Sequence, residues 1–369
     1  MKVLHVTRQY LPSIGGIEVV VDGLSSALRN AGHHVEIVTL QKIFTTNDLA
    51  PPHSVVNGIS VTRMKHWGPK RYPVAPQVLR NVGDCDVLHI HAVDFFLDFL
   101  SRTKFIHKRP VVLSTHGGIF HTNWLSSFKS VYFRTVTRQA LKKVAAVLCV
   151  SPQDYDLFSS IVPKEKLHLM PNGVAVGSFG NVKKEITPGL IVGIGRVAKN
   201  KAIDRLIHAA AKLQITHPYS RLIWIGPDQE GRTSKLRQLA ADLGISDRVE
   251  FAGRVEQSQL RGWLQKAQAF VCGSSYEGYG LSTVEAMSSG TVPVVTKVGI
   301  HPQIIEQRKS GFLVDSHPES IAQGLRSVLD MDESSLHAMG ENARRASAGY
   351  SWESVVQSYI AVYQSVLGH

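Results

Sequence analysis

Short apolar runs rich in β-branched residues alternate along this chain with longer stretches whose apolar residues recur every three or four positions. The first run, Lys2–Thr7, predicts a strand, and the helical spacing from Ile17 to Ala31 predicts a helix that Gly32 ends. Such alternation is typical of parallel sheets joined by crossover helices. Further strands are predicted at His34–Leu40, Ile59–Met64, Val87–Ile90, Val111–Thr115, Ala146–Val150 and Leu167–Met170.

The same alternation restarts after Asn181, and residues 172–189 lack periodicity and predict a linker. We therefore predict an α/β protein with two doubly wound, Rossmann-like domains that face each other across a cleft. Residues 1–181, joined by a C-terminal helix at 350–369, form the first domain, and residues 182–349 form the second. The predicted strands of the second domain are Leu190–Ile194, Arg221–Ile225, Val249–Phe251, Ala269–Val271 and Val292–Thr296, and its predicted helices include Ala202–Leu213 and Thr233–Leu243.

Composition narrows the class of protein. Of the 369 residues, 43% are apolar and 19% are charged, which allows sizeable cores and argues against wholesale disorder. No run approaches the roughly 18 apolar residues of a membrane-spanning helix, and the first residues lead into a strand rather than a signal peptide. Three scattered cysteines, Cys85, Cys149 and Cys272, fit neither a disulfide framework nor a clustered zinc site. These features predict a protein of the reducing cytosol.

The formal net charge of +12 is concentrated in the first half. Residues 1–180 hold 20 lysines and arginines against 11 acidic residues, whereas residues 181–369 hold 21 against 18. The first half therefore favours an anionic partner, and nucleic acid, an anionic membrane surface or a pyrophosphate-bearing substrate would each fit. No nucleic-acid module is recognisable, so we expect no nucleic-acid partner.

Aromatic and basic residues are interleaved in two segments, Lys65–Tyr72 and Phe128–Lys143. This pattern is typical of proteins that dock on anionic membranes, and it fits a solvated basic face with a few core aromatics equally well. The membrane interpretation assigns the headgroup contacts to Trp67, Tyr72, Tyr132, Phe133, Lys129, Arg134 and Arg138.

Glycines follow two predicted strands of the first half. Gly15 and Gly16 open the first helix, where backbone N–H groups can approach a phosphate, although a plain turn explains them as well. His116 ends a strand beside Gly117 and Gly118, where an imidazole can bond a sugar hydroxyl or carry charge in a transition state. The alternative for His116 is an ordinary surface histidine, and that is how we interpret His89 and His91.

The second half places two cations after its first strand. Gly193-Ile194-Gly195-Arg196 resembles part of a dinucleotide fingerprint, but the third glycine is missing. Arg196 and Lys201 could bind a pyrophosphate together, one as a bidentate fork and the other as a point charge. The alternative is solvated surface charge, which is the interpretation we give Lys199.

A glycine-rich segment from Ser274 to Met287 contains two carboxylates. Ser282 and Glu285 have the spacing of a capping box, so Glu285 has a structural explanation, and the backbone donors of Leu281 and Ser282 would face a phosphate. Glu277 has no comparable explanation and suits bonding to sugar hydroxyls. A paired-carboxylate hydrolase is a competing idea, but it explains neither the two cations nor the cleft.

These motifs occur in an order that resembles the retaining glycosyltransferases of family 4, which have the GT-B fold. The residues that carry the resemblance are Glu277-x7-Glu285, Gly195-Arg196 with Lys201, Pro171-Asn172-Gly173-Val174 and Gly15-Gly16. The segments Val6–Glu18 and Thr115–Thr122 look closest to the α-mannosyltransferases of xanthan and acetan assembly, which use GDP-mannose and a polyprenyl-diphosphate-linked oligosaccharide. The family has glycine at Ala202 and aspartate at Ala175, and the second departure puts a role for that loop in doubt.

The resemblance implies roles for individual residues. Arg196 and Lys201 would bind the donor diphosphate, Glu277 the transferred sugar and Glu285 the ribose hydroxyls. His116 would lie beside the sugar, and Gly15-Gly16 would approach the phosphates or the acceptor. The donor-binding set would also include Gly253, Arg254 and Val255 as a base-binding turn, with Gly280, Leu281 and Ser282 at a helix start.

The resemblance also implies a reaction and its surroundings. Transfer would proceed with retention and electrostatic stabilisation of the leaving nucleoside diphosphate, with no cofactor and no obligatory metal. We expect a cytoplasmic protein, peripheral on the inner membrane face, that uses a nucleotide-sugar donor and a lipid-linked oligosaccharide acceptor. The alternatives are a UDP-sugar donor, a nucleotide-sugar epimerase of the same fold, and a non-enzymatic basic module that binds membrane.

Overall fold

The computed structural model describes residues 1–117, 132–180 and 184–368, and it divides the chain into two compact units. The first unit comprises Met1–Gly173 with Trp352–His369, and the second comprises Val174–Ser351. The predicted change of domain at residue 181 falls inside the second unit.

The first unit is an eight-stranded sheet flanked by helices. The strand order is β3-β4-β2-β1-β5-β6-β7-β8, and every pairing is parallel except that of β3 with β4. The strands are β1 (Lys2–Val6), β2 (His34–Leu40), β3 (His53–Val56), β4 (Ile59–Met64), β5 (Val87–His91), β6 (Val111–Ser114), β7 (Ala146–Cys149) and β8 (Leu167–Leu169). The helices are α1 (Gly16–Asn30), α2 (Phe95–Arg102), α3 (Lys104–His107), α4 (Arg138–Lys143), which a π-helical turn at Phe133–Thr137 precedes, and α5 (Pro152–Ser159).

The second unit is a six-stranded, fully parallel sheet in the order β11-β10-β9-β12-β13-β14. Its strands are β9 (Leu190–Ile194), β10 (Arg221–Ile225), β11 (Val249–Gly253), β12 (Ala269–Cys272), β13 (Val292–Thr296) and β14 (Phe312–Val314). Its helices are α6 (Gly177–Gly180), α7 (Ile203–Leu213), α8 (Thr233–Asp242), α9 (Gln257–Lys266), α10 (Leu281–Ser288), α11 (His301–Ile304), α12 (Pro318–Leu329) and α13 (Glu333–Ala348). In both sheets the strand order reverses beside the first strand, and ligands of such sheets bind at that reversal, beyond the carboxyl ends of the strands.

The last helix, α14 (Trp352–Leu367), belongs to the first unit. Trp352 lies against Gly23 of α1, where an added Cβ would come within 2.0 Å of the indole nitrogen, and against Gly173, where it would come within 2.3 Å of the ring. Glycine is therefore required at both positions for the tail helix to dock. Among the residues that the structure describes, no helix combines the length and apolarity that crossing a bilayer requires.

The predicted strands are confirmed with ends that differ by at most two residues, but two strands were missed. β3 is a four-residue edge strand whose side chains alternate between exposed and half-buried, so it has no buried apolar run. β14 has only three residues, too few for periodicity to be recognised.

Candidate active site

His116 lies in the turn after β6, and Asp154 of α5 holds the residues on both sides of it. The Asp154 carboxylate accepts hydrogen bonds from Thr115 Oγ1 at 2.5 Å and from the backbone N–H of Gly117 at 2.9 Å. Burial raises the pKa of Asp154, and these two hydrogen bonds oppose the rise. His116 itself has a φ of +52°, which is uncommon for a residue with a side chain. The predicted neighbour Gly118 lies outside the described residues.

The interpretation of His89 and His91 as surface histidines is wrong, because β5 is buried along its whole length. Together with His5 of β1, these side chains lie on one face of the sheet. His5 Nδ1 is 2.8 Å from His91 Nε2, and His91 Nδ1 is 2.9 Å from His116 Nε2. His89 bonds instead to Tyr363 Oη at 2.7 Å and to Ser114 Oγ at 2.8 Å. Spacing of i and i+2 on a strand places two side chains on one face, so the sequence held this signal.

Burial keeps these imidazoles neutral. It lowers the pKa of His5 to about 3 and that of His116 to about 4, and it holds the pKa values of His89 and His91 well below the ordinary value. Neutral imidazoles suit hydrogen bonding between rings, since each offers one donor and one acceptor.

A metal ion fits this cluster poorly. Nitrogens of His5, His89 and His91 lie within 4.8 Å of one another, but within the described part of the chain only His5 Nε2 among them lacks a hydrogen-bond partner. Metal binding would therefore break existing hydrogen bonds.

Asp-x-Asp triplets, which can present two carboxylates to a metal, start at residues 84, 154 and 330. Asp84 pairs with Lys2, Asp154 holds the His116 turn, and Asp330 pairs with His217. At least one carboxylate of each triplet thus has a partner within the protein.

The turn at Gly15-Gly16 has a carboxylate beside it. Glu18, in the first turn of α1, places its carboxylate over Gly15, where an added Cβ would lie 2.5 Å from Glu18 Oε2. A carboxylate is favourable at a helix N-terminus, but it repels a phosphate from the same place. Gly16 has open space around its Cα among the described residues. The geometry thus favours a neutral hydroxyl over a phosphate at this turn.

In the second unit, Arg196 follows β9 and is exposed, with its guanidinium 3.3 Å from Gln229 Oε1. Lys201 ends a 3₁₀ turn, Lys199–Lys201, and the next residue, Ala202, has a φ of +47°. Glycine adopts this conformation without strain, so the glycine that the family resemblance implies at this position would suit the backbone better than the alanine found here. Arg196 is close enough to Lys201 for the two positive charges to repel each other, which slightly offsets the net rise in the pKa of Lys201 described below.

Lys201 and Glu277 form a buried ion pair. Lys201 Nζ lies 2.5 Å from Glu277 Oε1, with side-chain exposures of 12% and 10%. Ser274 Oγ donates to the same carboxylate oxygen at 2.5 Å. Burial raises the pKa of Glu277, but the Lys201 charge and the hydrogen bonds from Lys201 and Ser274 outweigh it, so the net pKa is lowered. Burial likewise lowers the pKa of Lys201, and the Glu277 carboxylate outweighs it, so the net pKa is raised. Both groups remain charged at neutral pH.

The prediction that Glu277 has no structural role is therefore wrong, and so is the capping box at Ser282 and Glu285. Helix α10 begins after Gly280, which has a φ of +118° and supplies no side-chain cap. The first backbone hydrogen bonds of the helix are donated by Thr283 and Val284 to the Gly280 carbonyl. The N–H groups of Leu281 and Ser282 thus precede the intrahelical bonding, as a phosphate site at a helix N-terminus requires.

Glu285 lies one turn further into α10 and is partly buried. Burial raises the pKa of its carboxyl to about 7. A carboxyl that is half protonated near neutrality gains from a ligand that donates hydrogen bonds to its ionised form, as a pair of hydroxyls does.

The predicted base-binding turn follows β11. Gly253 has a φ of +67°, its carbonyl accepts a hydrogen bond from Gly226 N at 2.8 Å, and Arg254 is exposed. An added Cβ on Gly226 would lie 2.0 Å from the Gly195 carbonyl oxygen. The turns after β9, β10 and β11 therefore pack side by side at the carboxyl edge of this sheet, which brings Val255 and its neighbours to the same edge as Arg196.

Two family models match the chain in succession. The model for glycosyltransferase family 4 matches residues 14–177, and the model for glycosyl transferases group 1 matches residues 179–346. GDP-mannose:cellobiosyl-diphosphopolyprenol alpha-mannosyltransferase of Xanthomonas campestris is 36% identical over 100% of this chain and 98% of its own. The enzyme of the same name from Komagataeibacter xylinus is 34% identical over 100% of this chain and 94% of its own.

Solved structures share the fold. Sucrose-phosphate synthase from Thermosynechococcus elongatus superposes with a TM-score of 0.80 at 18% identity, covering 100% of this chain and 99% of that one. HepE of Anabaena, in complex with UDP and glucose, superposes with a TM-score of 0.79 at 19% identity, covering 99% and 100%. Two Rossmann-like units with these matches define a glycosyltransferase of the GT-B class. Within that class, the chain belongs to glycosyltransferase family 4, as the motif resemblance predicted.

Proposed function

We propose that this enzyme transfers mannose from GDP-mannose to a polyprenyl-diphosphate-linked oligosaccharide, with retention, in exopolysaccharide assembly. Support comes from the relatives named above, which are 34–36% identical over the whole chain. The structural observation that carries the proposal is the buried Lys201–Glu277 pair beside the exposed Arg196. The pair is neutral as a unit, so Arg196 and the start of α10 supply the net positive potential for a diphosphate.

The residues of the second unit bind the donor. Arg196, Lys201 and the N–H groups of Leu281 and Ser282 hold the diphosphate and stabilise the charge that develops as GDP leaves. Glu277 orients the hydroxyls of the mannose and remains ionised because Lys201 stays beside it. Glu285 accepts from the ribose hydroxyls, and the turn from Gly253 to Val255 contacts the base.

Transfer replaces one bond by another at the anomeric carbon. The bond from that carbon to the donor phosphate breaks, the bond to the acceptor oxygen forms on the same face, and the acceptor proton passes to a donor phosphate oxygen. His116 hydrogen-bonds the mannose, and the open space at Gly16 admits the acceptor. Arg196, Lys201 and the backbone amides supply the positive charge in this proposal, so we expect transfer without an obligatory metal, and activity should persist in a chelator.

The test compares two cations of one turn. Arg196→Ala should lower turnover at saturating GDP-mannose by about 10²–10³-fold, the usual cost of removing a preorganised donor. Lys199→Ala is the matched control, because Lys199 is an exposed lysine three residues away and should leave turnover near normal. Thermal unfolding of both variants checks that the fold survives. Equal, near-normal turnover in the two variants would remove Arg196 from the site.

Peripheral membrane binding is the second part of the proposal, and the structure reduces the predicted aromatic set. Trp67 is 63% exposed and flanks a basic loop that carries Lys70 and closes through a bridge to Val74. Phe133 is in the core, so its assignment to the membrane is wrong. Tyr72 and Tyr132 direct their hydroxyls to the Asp98 carboxylate, which points them away from headgroups. Lys129 lies outside the described residues, the Arg134 side chain is not described, and Arg138 is exposed.

The membrane interpretation therefore rests on Trp67 with Lys70 in one segment and on the basic residues of the other segment, of which Arg138 is described and exposed. Sedimentation with anionic vesicles at low and high salt tests it, because each basic residue near an anionic surface contributes about 1 kcal/mol that salt screens. Trp67→Ala and the joint neutralisation of Lys129, Arg134 and Arg138 should both reduce pelleting. Neutralising Lys235 and Arg237, exposed basic residues of the second unit, is the control. Equal recovery of the protein with neutral and anionic vesicles would contradict the membrane interpretation and indicate a basic face that is simply solvated.

A further inference from the structure

Three imidazole rings form a continuous hydrogen-bonded chain from the core to the His116 turn. The links are His5 Nδ1 to His91 Nε2 at 2.8 Å and His91 Nδ1 to His116 Nε2 at 2.9 Å. The rings of His91 and His116 are stacked, with centroids 5.1 Å apart and planes 26° apart. His5 and His91 are at most 1% exposed, so bulk water does not compete for these links.

The polarity of the chain follows from its buried end. A neutral imidazole has one N–H and one acceptor nitrogen, so all the links must run in the same direction. His5 Nε2 has no hydrogen-bond partner among the residues that the structure describes. If the links ran inward, His5 Nε2 would carry a buried, unpaired N–H, and orphaned buried N–H groups are rarer than unsatisfied acceptors. The favoured arrangement therefore has each Nδ1–H donating outward to the next Nε2.

We propose that His5 and His91 are positioning residues that hold His116 in the tautomer protonated on Nδ1, so that His116 presents a hydrogen-bond donor to the substrate. Among the described residues, His116 Nδ1 has no hydrogen-bond partner, so its proton is available to a ligand. Asp154 fixes the backbone of the same turn through Thr115 and Gly117, so both the ring and its support are held.

The role given to the donor rests on the proposed function. A sugar hydroxyl can both donate and accept hydrogen bonds. The His116 N–H donates to the oxygen of that hydroxyl, so the hydroxyl proton is left to donate to another partner. If His116 is no longer held in the Nδ1–H tautomer, some of the molecules adopt the Nε2–H tautomer. In those molecules Nδ1 presents a lone pair to the substrate instead of a donor. We expect kcat to fall about 10-fold, the lower end of the loss seen when the hydrogen-bond partner of a metal-ligating histidine is removed.

Long-range proton–nitrogen NMR of the enzyme with ¹⁵N-labelled histidine tests the proposal, because protonated and unprotonated ring nitrogens have well-separated shifts. Single substitutions, such as His116→Gln, assign the signals. The expected result is an Nδ1–H tautomer for His5, His91 and His116 alike. His91→Phe should then give a mixture of tautomers at His116 and the loss in kcat. His89→Phe is the matched control, because His89 is equally buried on the same strand but bonds to Tyr363 and Ser114.

An Nε2–H tautomer at His116 in the unmodified enzyme would overturn the proposal. This outcome needs no variant, so the proposal can be tested even if His91→Phe does not fold. An unchanged His116 signal in a folded His91→Phe would also overturn it. Absence of mannosyl transfer by the unmodified enzyme would refute the proposed function alone, since the tautomers are measured without substrate.

Discussion

The buried Lys201–Glu277 pair makes a quantitative prediction about stability. At 2.5 Å and an effective dielectric constant of about 20, the attraction between the two charges is about 7 kcal/mol. Removing both charges from water costs several kcal/mol for each, so the intact pair is close to neutral in free energy compared with an uncharged pair. Removing one partner leaves the other buried and unpaired, which costs about 3–5 kcal/mol.

We therefore expect Lys201→Met and Glu277→Gln each to lower the free energy of unfolding by about 3–5 kcal/mol, and the double variant to recover most of that loss. The unmodified protein, the two single variants and the double variant form a double-mutant cycle. Urea unfolding followed by circular dichroism measures the free energy of unfolding of each of the four proteins. Turnover should be lost in all three variants, which separates the structural role of the pair from its role in transfer. Single losses below about 1 kcal/mol that simply add in the double variant would refute the burial of the pair.

The pH dependence of the same cycle has a defined sign. The pKa of Glu277 is lowered from 4.5, so its contribution is present above pH 4.5 and is lost as pH falls through the lowered value. The pKa of Lys201 is raised from 10.5, so its contribution is present below pH 10.5 and is lost as pH rises through the raised value. The cost of each single substitution should therefore be level across the neutral range and shrink only in acid or strong alkali.

Three further predictions follow from individual residues. Glu285→Gln should raise the free energy of unfolding at pH 8 by up to about 3 kcal/mol, because the folded pKa of about 7 lies above the ordinary value of 4.5 and each pKa unit corresponds to about 1.4 kcal/mol. The same substitution should leave stability unchanged at pH 4 and raise the KM for GDP-mannose. A loss of stability at pH 8 would contradict this. Gly23→Ala should destabilise the protein by about 1–3 kcal/mol, because the added methyl group clashes with Trp352 of the tail helix. Gly262→Ala, at an open position of α9, is the control and should stabilise the protein by up to about 1 kcal/mol. Equal shifts of the melting temperature in the two variants would argue against this packing of the tail helix. Asp154→Asn should loosen the His116 turn and lower kcat at least 10-fold. Asp156→Asn, at an exposed position of the same helix, is the control and should leave kcat unchanged. Equal kcat values in the two variants would show that Asp154 does not support the site.

Much of the fold could be predicted because buried parallel strands have continuous apolar runs that the sequence displays openly. β5 illustrates both the success and its limit. Its position follows from Val87, Leu88 and Ile90, but its two histidines look polar until the pairing of β1 with β5 places His5 beside them. The spacing of His89 and His91 by two residues places them on one face of the strand, but a single sequence does not show that His5 of another strand is their partner.

The site was predictable as a set of turns and not as a set of contacts. Glycines and cations after strands marked the regions around Arg196 and Glu277, because such loops meet at the carboxyl edge of a parallel sheet. The pairing of Lys201 with Glu277 could not be inferred, since the two residues are 76 positions apart and belong to different turns. The supposed capping box shows the converse error. A local pattern was present at Ser282 and Glu285, but the left-handed backbone at Gly280 starts the helix without it.

Mannosyl transfer itself tests the central claim most directly. The purified enzyme is incubated with GDP-mannose that carries a radiolabel in the sugar and with a polyprenyl-diphosphate-linked cellobiose. The release of GDP and the appearance of label in the lipid fraction are measured together. The account predicts equal amounts of GDP and mannosylated lipid, release that depends on the acceptor, and an α linkage by NMR of the product. Transfer from UDP-sugars in preference to GDP-mannose, conversion of the donor without an acceptor, or no transfer at all would contradict it.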